Sequence, residues 1–228
     1  KIAHQLYQGN VDSLYMQGDY YVEFENLKSF LSQQNIEQIY LPIGNDLFNV
    51  DDTRLTTTKG TPQDNTKDLH GMFQLGLDLM TYSIDSLIKI APVKVILVPG
   101  NHATNSETYL ALALDAIYKN NPDVTVDHSP MDRKYYTYGQ NLIGFSHGEL
   151  PLKKYAELLP YEAKAQFGSA KHIEVLVGDK HIEELHKSHI ADGDGLTVRR
   201  LAALTKTDLW HYQQGYTLSK RRCYVLIY

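Results

Sequence analysis

The sequence predicts an α/β fold with a largely parallel sheet, because short apolar runs alternate with helical patterns along the chain. Four runs of β-branched or apolar residues each end in Gly or Ser beside a polar residue, at residues 37–46, 93–102, 141–149 and 173–181. Helical periodicity occupies the intervals, at residues 24–34, 70–90, 106–120 and 152–167, and Pro160 interrupts the last of these.

The polar residues at these four strand ends are candidates for a binding site. In a parallel sheet the loops at the carboxyl ends of the strands gather at one edge, and ligands bind there. We therefore expect all four polar clusters to meet. The residues concerned are Asp46, Asn101, His102, His147, Asp179 and His181.

Two further segments complete the outline. Residues 47–68 show no apolar period and are long for a connection, which leaves two interpretations: a loop on the rim of the site or a surface excursion without function. Residues 208–228 are typical of turns and strands and predict a second, antiparallel element.

Composition limits the class of protein. The chain has 228 residues, of which 43% are hydrophobic and 21% are charged, and we expect a single domain over residues 1–228. No run of 18 apolar residues and no basic-then-apolar N-terminus occurs, so the sequence predicts neither a membrane span nor a signal peptide. The single cysteine excludes an internal disulfide and fits a reducing compartment, so we expect the cytoplasm. A net charge of −5 disfavours polyanion binding unless metal ions reverse it locally.

The donor types at the strand ends suit a metal centre. Carboxylate and carboxamide oxygens together with imidazole nitrogens, and no thiolate, suit Mn, Fe, Zn or Mg and exclude a cysteine-type zinc site. A carboxylate can bridge two such ions, and paired ions about 3.5–4 Å apart support in-line displacement at phosphorus. His102 adjoins a ligand without being needed as one, so it is a candidate to protonate a leaving oxygen.

Each of these residues also has an ordinary structural interpretation. Asn101 and His102 can simply precede a helix that Asn105 or Ser106 caps at residue 107. His147 or Asp179, taken alone, is more often a turn residue than a ligand. The coincidence of suitable donors at four strand ends favours the metal site.

Structural roles are expected for two other groups of residues. The tyrosine-rich run at residues 134–139 is expected to pack in a strand. Solvated faces are expected for the arginines Arg199, Arg200, Arg221 and Arg222.

The motifs resemble those of a known superfamily. In chain order the motifs are GND (44–46), GNHA (100–103), SHGE (146–149) and GDKH (178–181). This order of motifs is similar to that of the metallophosphoesterases, the calcineurin-like dinuclear phosphoesterases. GNDLF at residues 44–48 is similar to the corresponding motif of double-strand-break repair nucleases, and the wider pattern resembles metallophosphoesterase-like proteins of phages and prophages.

This resemblance implies a four-layer α/β/β/α sandwich with two divalent ions. Mn is favoured, and Mg, Fe and Zn are alternatives. It implies that Asp46 bridges both ions, that Asn101, His147 and Asp179 complete one site, that His181 belongs to the other, and that His102 is the catalytic acid. A phage origin would place the protein in the host bacterial cytoplasm.

The implied activity is a phosphodiesterase or nuclease acting on DNA, in which a metal-bridging hydroxide attacks phosphorus in line. Two alternatives stay open: a nucleotide or phosphoprotein phosphatase on the same centre, and a catalytically weak phage binding or assembly module that retains the fold. The sequence leaves the physiological substrate and the oligomeric state undetermined.

Two departures from the superfamily pattern matter. Asp179 stands where the superfamily has the first histidine of Gly-His-x-His, which would shift preference toward harder ions. The Asp-x-His motif that should end the first strand is absent, and residues 1–10 resemble the segment after it. We therefore expect the chain to lack its first strand, with Asp-x-His encoded upstream. If that is wrong, His4 and Asp51 are the first replacement ligands to test.

Overall fold

A computed structural model describes most of the chain, in five ranges. These are residues 2–6, 14–180, 182–188, 195–204 and 222–228. Within them, every helix is too short or too polar to cross a membrane.

Ten strands and five helices lie in the described ranges. The strands are β1 (Ile2–Leu6), β2 (Gln38–Gly44), β3 (Val93–Val98), β4 (Val124–Asp127), β5 (Arg133–Tyr138), β6 (Asn141–Ser146), β7 (His172–Val177), β8 (Glu184–Ser188), β9 (Leu196–Arg200) and β10 (Tyr224–Ile227). The helices are α1 (Leu14–Leu31), α2 (Leu69–Leu87), α3 (Thr104–Tyr118), α4 (Leu152–Glu162) and α5 (Lys164–Ser169).

The chain divides into two compact units. Unit 1 comprises Lys1–Pro130, Leu204–Lys206 and Cys223–Tyr228. Unit 2 comprises Met131–Ala203 and Thr207–Arg222. The expectation of a single domain over residues 1–228 stays a prediction.

Unit 1 contains a five-stranded sheet in the order β10-β1-β2-β3-β4, counted over the described residues. Strands β1 to β4 pair in parallel, and β10 pairs antiparallel with β1. Strand β2 is buried along almost its whole length, as expected for an inner parallel strand. Residues Ile39, Leu41 and Ile43 of this strand belong to one apolar core with Leu110 and Leu114 of α3. This core fixes the carboxyl end of β2 beside that of β3.

Unit 2 contains a second sheet, described as five strands in the order β5-β6-β7-β9-β8. Strands β6, β7 and β9 are parallel, and β5 and β8 are antiparallel edge strands. Its own core packs Tyr155 and Leu159 of α4 with Val175, Val177 and Val198 of the sheet. Strands β6 and β7 therefore end side by side, just as β2 and β3 do in unit 1.

The predicted α/β class is confirmed, and each of the four predicted strands is present. The structure divides their ends between two sheets, however, so they do not line one edge of one sheet as expected. The four-layer stacking stays a prediction. The tyrosine-rich run forms strand β5, as the structural interpretation expects.

The sheet of unit 1 contains a strand that the sequence analysis did not predict, while the expectation of a further strand with Asp-x-His encoded upstream stays a prediction. Strand β1, at Ile2–Leu6, lies between β10 and β2 and pairs with both. The sequence obscured it because this short strand includes His4 and Gln5 and carries no Asp-x-His to mark its end. Backbone pairing on both sides does not depend on side-chain type. Residues 7–13, which follow β1, lie outside the described ranges.

Pro160 does not interrupt its helix as the sequence suggested. Helix α4 continues through Pro160 to Glu162, and the break before α5 falls at Ala163, whose φ of −119° and ψ of 41° are not helical. A proline removes one backbone hydrogen bond, and the helix here tolerates that loss near its end. The predicted interruption is therefore present, but it lies at Ala163 instead of Pro160.

The N-terminus of helix α3 is capped by a residue that is distant in the sequence. The residue before it, Ala103, offers no capping side chain. Asp51 instead accepts hydrogen bonds from the backbone N–H groups of Asn105 and Ser106, at 3.1 and 2.7 Å. The interpretation of Asn105 or Ser106 as the cap is wrong, because the helix begins earlier, at Thr104, and a distant carboxylate satisfies its first N–H groups.

Replacing Asp51 by Ala should therefore destabilise unit 1. Loss of a capping side chain typically costs about 0.5–2 kcal/mol of unfolding free energy. Urea denaturation followed by circular dichroism would measure the change. The matched control is Asp64→Ala, which removes an exposed aspartate from the same loop. Equal stability of the two variants would contradict the capping role.

Candidate functional site

The motif GND at the end of β2 turns the chain sharply against β3. Gly44, Asn45 and Asp46 all have positive φ, at 88°, 59° and 65°. A Cβ on Gly44 would lie 2.6 Å from the carbonyl oxygen of Val98, so only glycine fits. The N–H of Asn45 donates to the same oxygen at 2.7 Å. The end of β2 is thus fixed to the end of β3 by backbone contacts.

The motif GNH after β3 closes around the Asp46 side chain. A Cβ on Gly100 would lie 2.1 Å from Asp46 Oδ1, so this glycine is what allows the carboxylate to approach. The N–H of His102 donates to Asp46 Oδ1 at 2.9 Å. The Oδ1 atom of Asn101, between them in sequence, is buried. Unit 1 therefore brings the predicted residues Asp46, Asn101 and His102 together.

A buried carboxyl group that the sequence analysis missed joins the two motifs. Glu107, in the first turn of α3, is fully buried. Its Oε1 accepts from the N–H of Leu47 at 2.8 Å and its Oε2 from the N–H of Gly100 at 2.7 Å. Burial, and then the neighbouring Asp46 carboxylate, raise the pKa of Glu107 well above its usual value, while backbone N–H bonds oppose this. The only sequence signal was an acidic residue near a helix start.

The imidazole of His102 is oriented by two hydrogen-bonded asparagine side chains. Its Nδ1 lies 3.1 Å from Asn49 Oδ1. The orientation of the Asn49 amide is set because its Nδ2 donates to Asn65 Oδ1 at 2.7 Å, and Asn65 Nδ2 in turn contacts Met72 Sδ at 3.4 Å. Asn49 Oδ1 therefore acts as the acceptor in its contact with His102 Nδ1, and this contact sets the orientation of the imidazole ring.

The 47–68 segment lies against this motif, as expected of a loop on the rim. The N–H of Thr58 donates to the carbonyl oxygen of His102 at 2.8 Å, and Thr58 Oγ1 accepts from the N–H of Thr104 at 2.9 Å. Thr58 Oγ1 also donates to Asp51 at 2.7 Å. Both oxygens of Asp51 accept hydrogen bonds from this loop or from α3, which assigns Asp51 a structural role and disfavours it as a replacement ligand. The side chain of His4 lies outside the described part.

Unit 2 brings together two more of the predicted residues. His147 directly follows β6 and Gly178 follows β7, and the N–H of Gly178 donates to the carbonyl oxygen of His147 at 2.6 Å. Asp179 then adopts a φ of 71°. The Nε2 atom of the buried His147 lies 3.5 Å from Asp179 Oδ1. His181, the remaining predicted ligand, lies outside the described residues.

Two features hold the His147 loop in place. Gly148 has a φ of 124°, and a Cβ there would lie 2.5 Å from the carbonyl oxygen of Gly178. The guanidinium of Arg200 is 1% exposed and donates to the carbonyl oxygens of Gly148 and Leu150 at 3.0 and 3.2 Å. It also pairs with Glu184 at 2.7 Å. The expectation of a solvated face is therefore wrong for Arg200, because its side chain is buried and holds the loop by hydrogen bonds to its carbonyl oxygens.

Metal-binding capacity can be tested on these distances. Among the described residues, no group of three or more His, Cys, Asp or Glu is arranged to hold an ion. The pair in unit 2 nevertheless fits a shared ion. Two ligand atoms each about 2.0–2.2 Å from one ion, at tetrahedral or octahedral angles, are about 2.8–3.6 Å apart. The separation of 3.5 Å between His147 Nε2 and Asp179 Oδ1 lies in this range and exceeds a normal hydrogen bond.

The donors in unit 1 fit as well. Asp46 supplies a carboxylate and Asn101 a carboxamide oxygen, both hard ligands that suit Mn or Mg. A cation held by Asp46 would also reduce the repulsion between this carboxylate and that of Glu107. Ligand roles for Asp46, Asn101, His147 and Asp179 stay predictions, and so does the acid role of His102.

Replacing Gly148 by Ala should destabilise unit 2. The substitution forces a side chain into a positive-φ conformation, which costs about 1–3 kcal/mol, and presses Cβ against Gly178. Urea denaturation would measure the loss. Gly168→Ala is the matched control, since a Cβ at Gly168 meets nothing within 4 Å. A Gly148→Ala protein as stable as that control would show that the loop can shift freely.

Comparison with known proteins gave matches among solved structures only. No protein-family model matches the sequence, and no curated protein matches it. Among solved structures, the chain is similar to one titled "Structure of PhoD", with 7% sequence identity and a TM-score of 0.42. The match covers 88% of this chain, which spans 56% of the length of the PhoD chain. A similarity at this level carries no inference about function.

Proposed function

We propose that the protein is a metal-dependent phosphoesterase that cleaves phosphodiesters, with DNA as the substrate class. Two divalent ions, with Mn favoured, would be held by Asp46, Asn101, His147, Asp179 and His181, as the motif order implies. The ions would also supply the positive charge that a chain of net charge −5 needs at a site for a polyanion. The cytoplasm is the proposed compartment.

One observation carries this proposal. The two aspartates assigned as ligands both have strained backbone conformations, and each lies at the end of a strand. Asp46 has a φ of 65° and Asp179 a φ of 71°. Non-glycine residues rarely adopt positive φ, and such residues cluster where a site requires a particular geometry. Each follows a buried parallel strand and is fixed by a neighbouring motif loop. An ordinary surface turn would more often place glycine at such positions.

The chemistry would be divided among the side chains. When bound, the divalent ions would polarise the phosphoryl oxygens and lower the pKa of water. Asp46 would orient its ligand oxygens through the hydrogen bond it accepts from His102. His102, held by Asn49 on its Nδ1 side, would deliver a proton from Nε2 to the leaving oxygen. This division needs no thiol and no further cofactor.

The decisive test is a substrate panel in the presence of Mn²⁺. Protein expressed from the complete gene should hydrolyse linear duplex DNA, single-stranded DNA or a chromogenic diester faster than a phosphate monoester. Asp46→Asn should remove this activity and lower the metal content measured by elemental analysis, because it weakens the shared ligand. Preference for a monoester would favour a phosphatase. A wild-type protein that retains no metal under Mn²⁺ excess would favour a binding or assembly module.

Replacing His102 by Ala separates acid catalysis from metal binding. Turnover of a diester with a poor leaving group should fall about 10²–10⁴-fold, the range for loss of a general acid. Metal content and the circular dichroism spectrum should stay unchanged. His128→Ala is the matched control, since its side chain is 44% exposed and contacts Asp115 rather than the motifs. Unchanged turnover in His102→Ala would exclude the acid role.

A further inference from the structure

We propose that Glu107 is a positioning residue, which holds the loops of GND and GNH in the geometry that binds metal. This inference rests on the proposed function, and it concerns a residue outside all four motifs. Glu107 belongs to α3, whereas the groups it contacts follow β2 and β3. It would act through Asp46 and Asn101 without itself touching substrate.

The contacts place Glu107 between the two motifs. One carboxyl oxygen accepts from Leu47, the residue after Asp46, and the other accepts from Gly100, the residue before Asn101. The backbone N–H of Asp46 donates to the same carboxyl group. Each predicted ligand in unit 1 is therefore joined within one residue to the same side chain.

The left-handed backbone of Asn45 and Asp46 explains why such a tether is needed. Residues with positive φ outside glycine are strained, and they persist only when surrounding contacts determine their conformation. The N–H groups of Asp46 and Leu47 lie in this turn, beyond Gly44, the last residue of β2 that pairs with β3. Glu107 supplies acceptors for these groups in a region from which water is excluded.

A carboxylate is the side chain that this position requires. Both oxygens act as acceptors, whereas a glutamine of the same size would direct an NH₂ group at one backbone N–H. An apolar residue would leave buried N–H groups without acceptors. Burying an acidic group beside Asp46 costs free energy. The presence of Glu107 at a fully buried position therefore indicates that the geometry of the two loops is needed for the site.

Glu107→Gln tests the inference through metal affinity. Titration of the complete protein with Mn²⁺, followed by calorimetry, should show binding weakened about 10- to 100-fold, as is typical when a residue that orients a metal ligand is lost. Diester hydrolysis at saturating Mn²⁺ should recover partly. Asp115→Asn is the matched control, because it removes a carboxylate from the same helix at a half-exposed position away from both loops.

Hydrogen exchange separates this inference from the proposed function. In metal-free protein, the amides of Leu47 and Gly100 should exchange faster in Glu107→Gln than in wild type, while those at the centre of α3 should not change. Unaltered Mn²⁺ affinity together with unaltered exchange at both amides would overturn the role of Glu107. A wild-type protein that binds no Mn²⁺ would instead overturn the proposed function, and exchange alone would then decide whether Glu107 tethers the loops.

Discussion

The candidate site in unit 1 depends on the close approach of two loops at the ends of neighbouring parallel strands. Parallel pairing sets Gly44 opposite Val98, and the absence of a side chain at Gly44 and Gly100 lets the loops touch. A larger residue at either position would separate Asp46 from the backbone of His102. The fully buried carboxyl group of Glu107 then ties both loops together. Backbone contact is therefore the constraint, and the chemistry of the side chains follows from it.

Unit 2 uses the same device with a hydrogen-bond donor in place of an acceptor. Strands β6 and β7 end side by side, and Gly148 lies against Gly178 where a side chain would clash. The loop is held by the buried guanidinium of Arg200, which donates to carbonyl oxygens, whereas Glu107 accepts from N–H groups. Whether the side chain accepts or donates follows from which backbone groups the turn leaves buried. In both units a buried polar side chain replaces the hydrogen bonds that regular structure would have provided.

The local structure was largely predictable because its signals are periodic. Continuous apolar runs predicted the inner strands, including β2 and β3, and helical spacing predicted α2 and α3. Predictions failed where the structure depends on pairing or on distant partners. Strand β1 was missed because its sequence includes polar residues, and the break in the α4 region was assigned to Pro160 instead of Ala163. The cap of α3 comes from Asp51, a residue more than fifty positions away in the chain.

The sequence by itself determined the α/β class and the residue types available for a metal site, because strand ends and their polar residues are local features. It also determined which of these residues adjoin each other in the chain, such as Asn101 and His102. Only the tertiary structure decided that the strand ends divide between two sheets and that Asp51, Glu107 and Arg200 fix the loops. The bond from Leu47 to Glu107 joins residues 60 positions apart. A hydrogen bond between residues so far apart leaves no periodic pattern in the sequence. It can therefore be identified only from the folded structure.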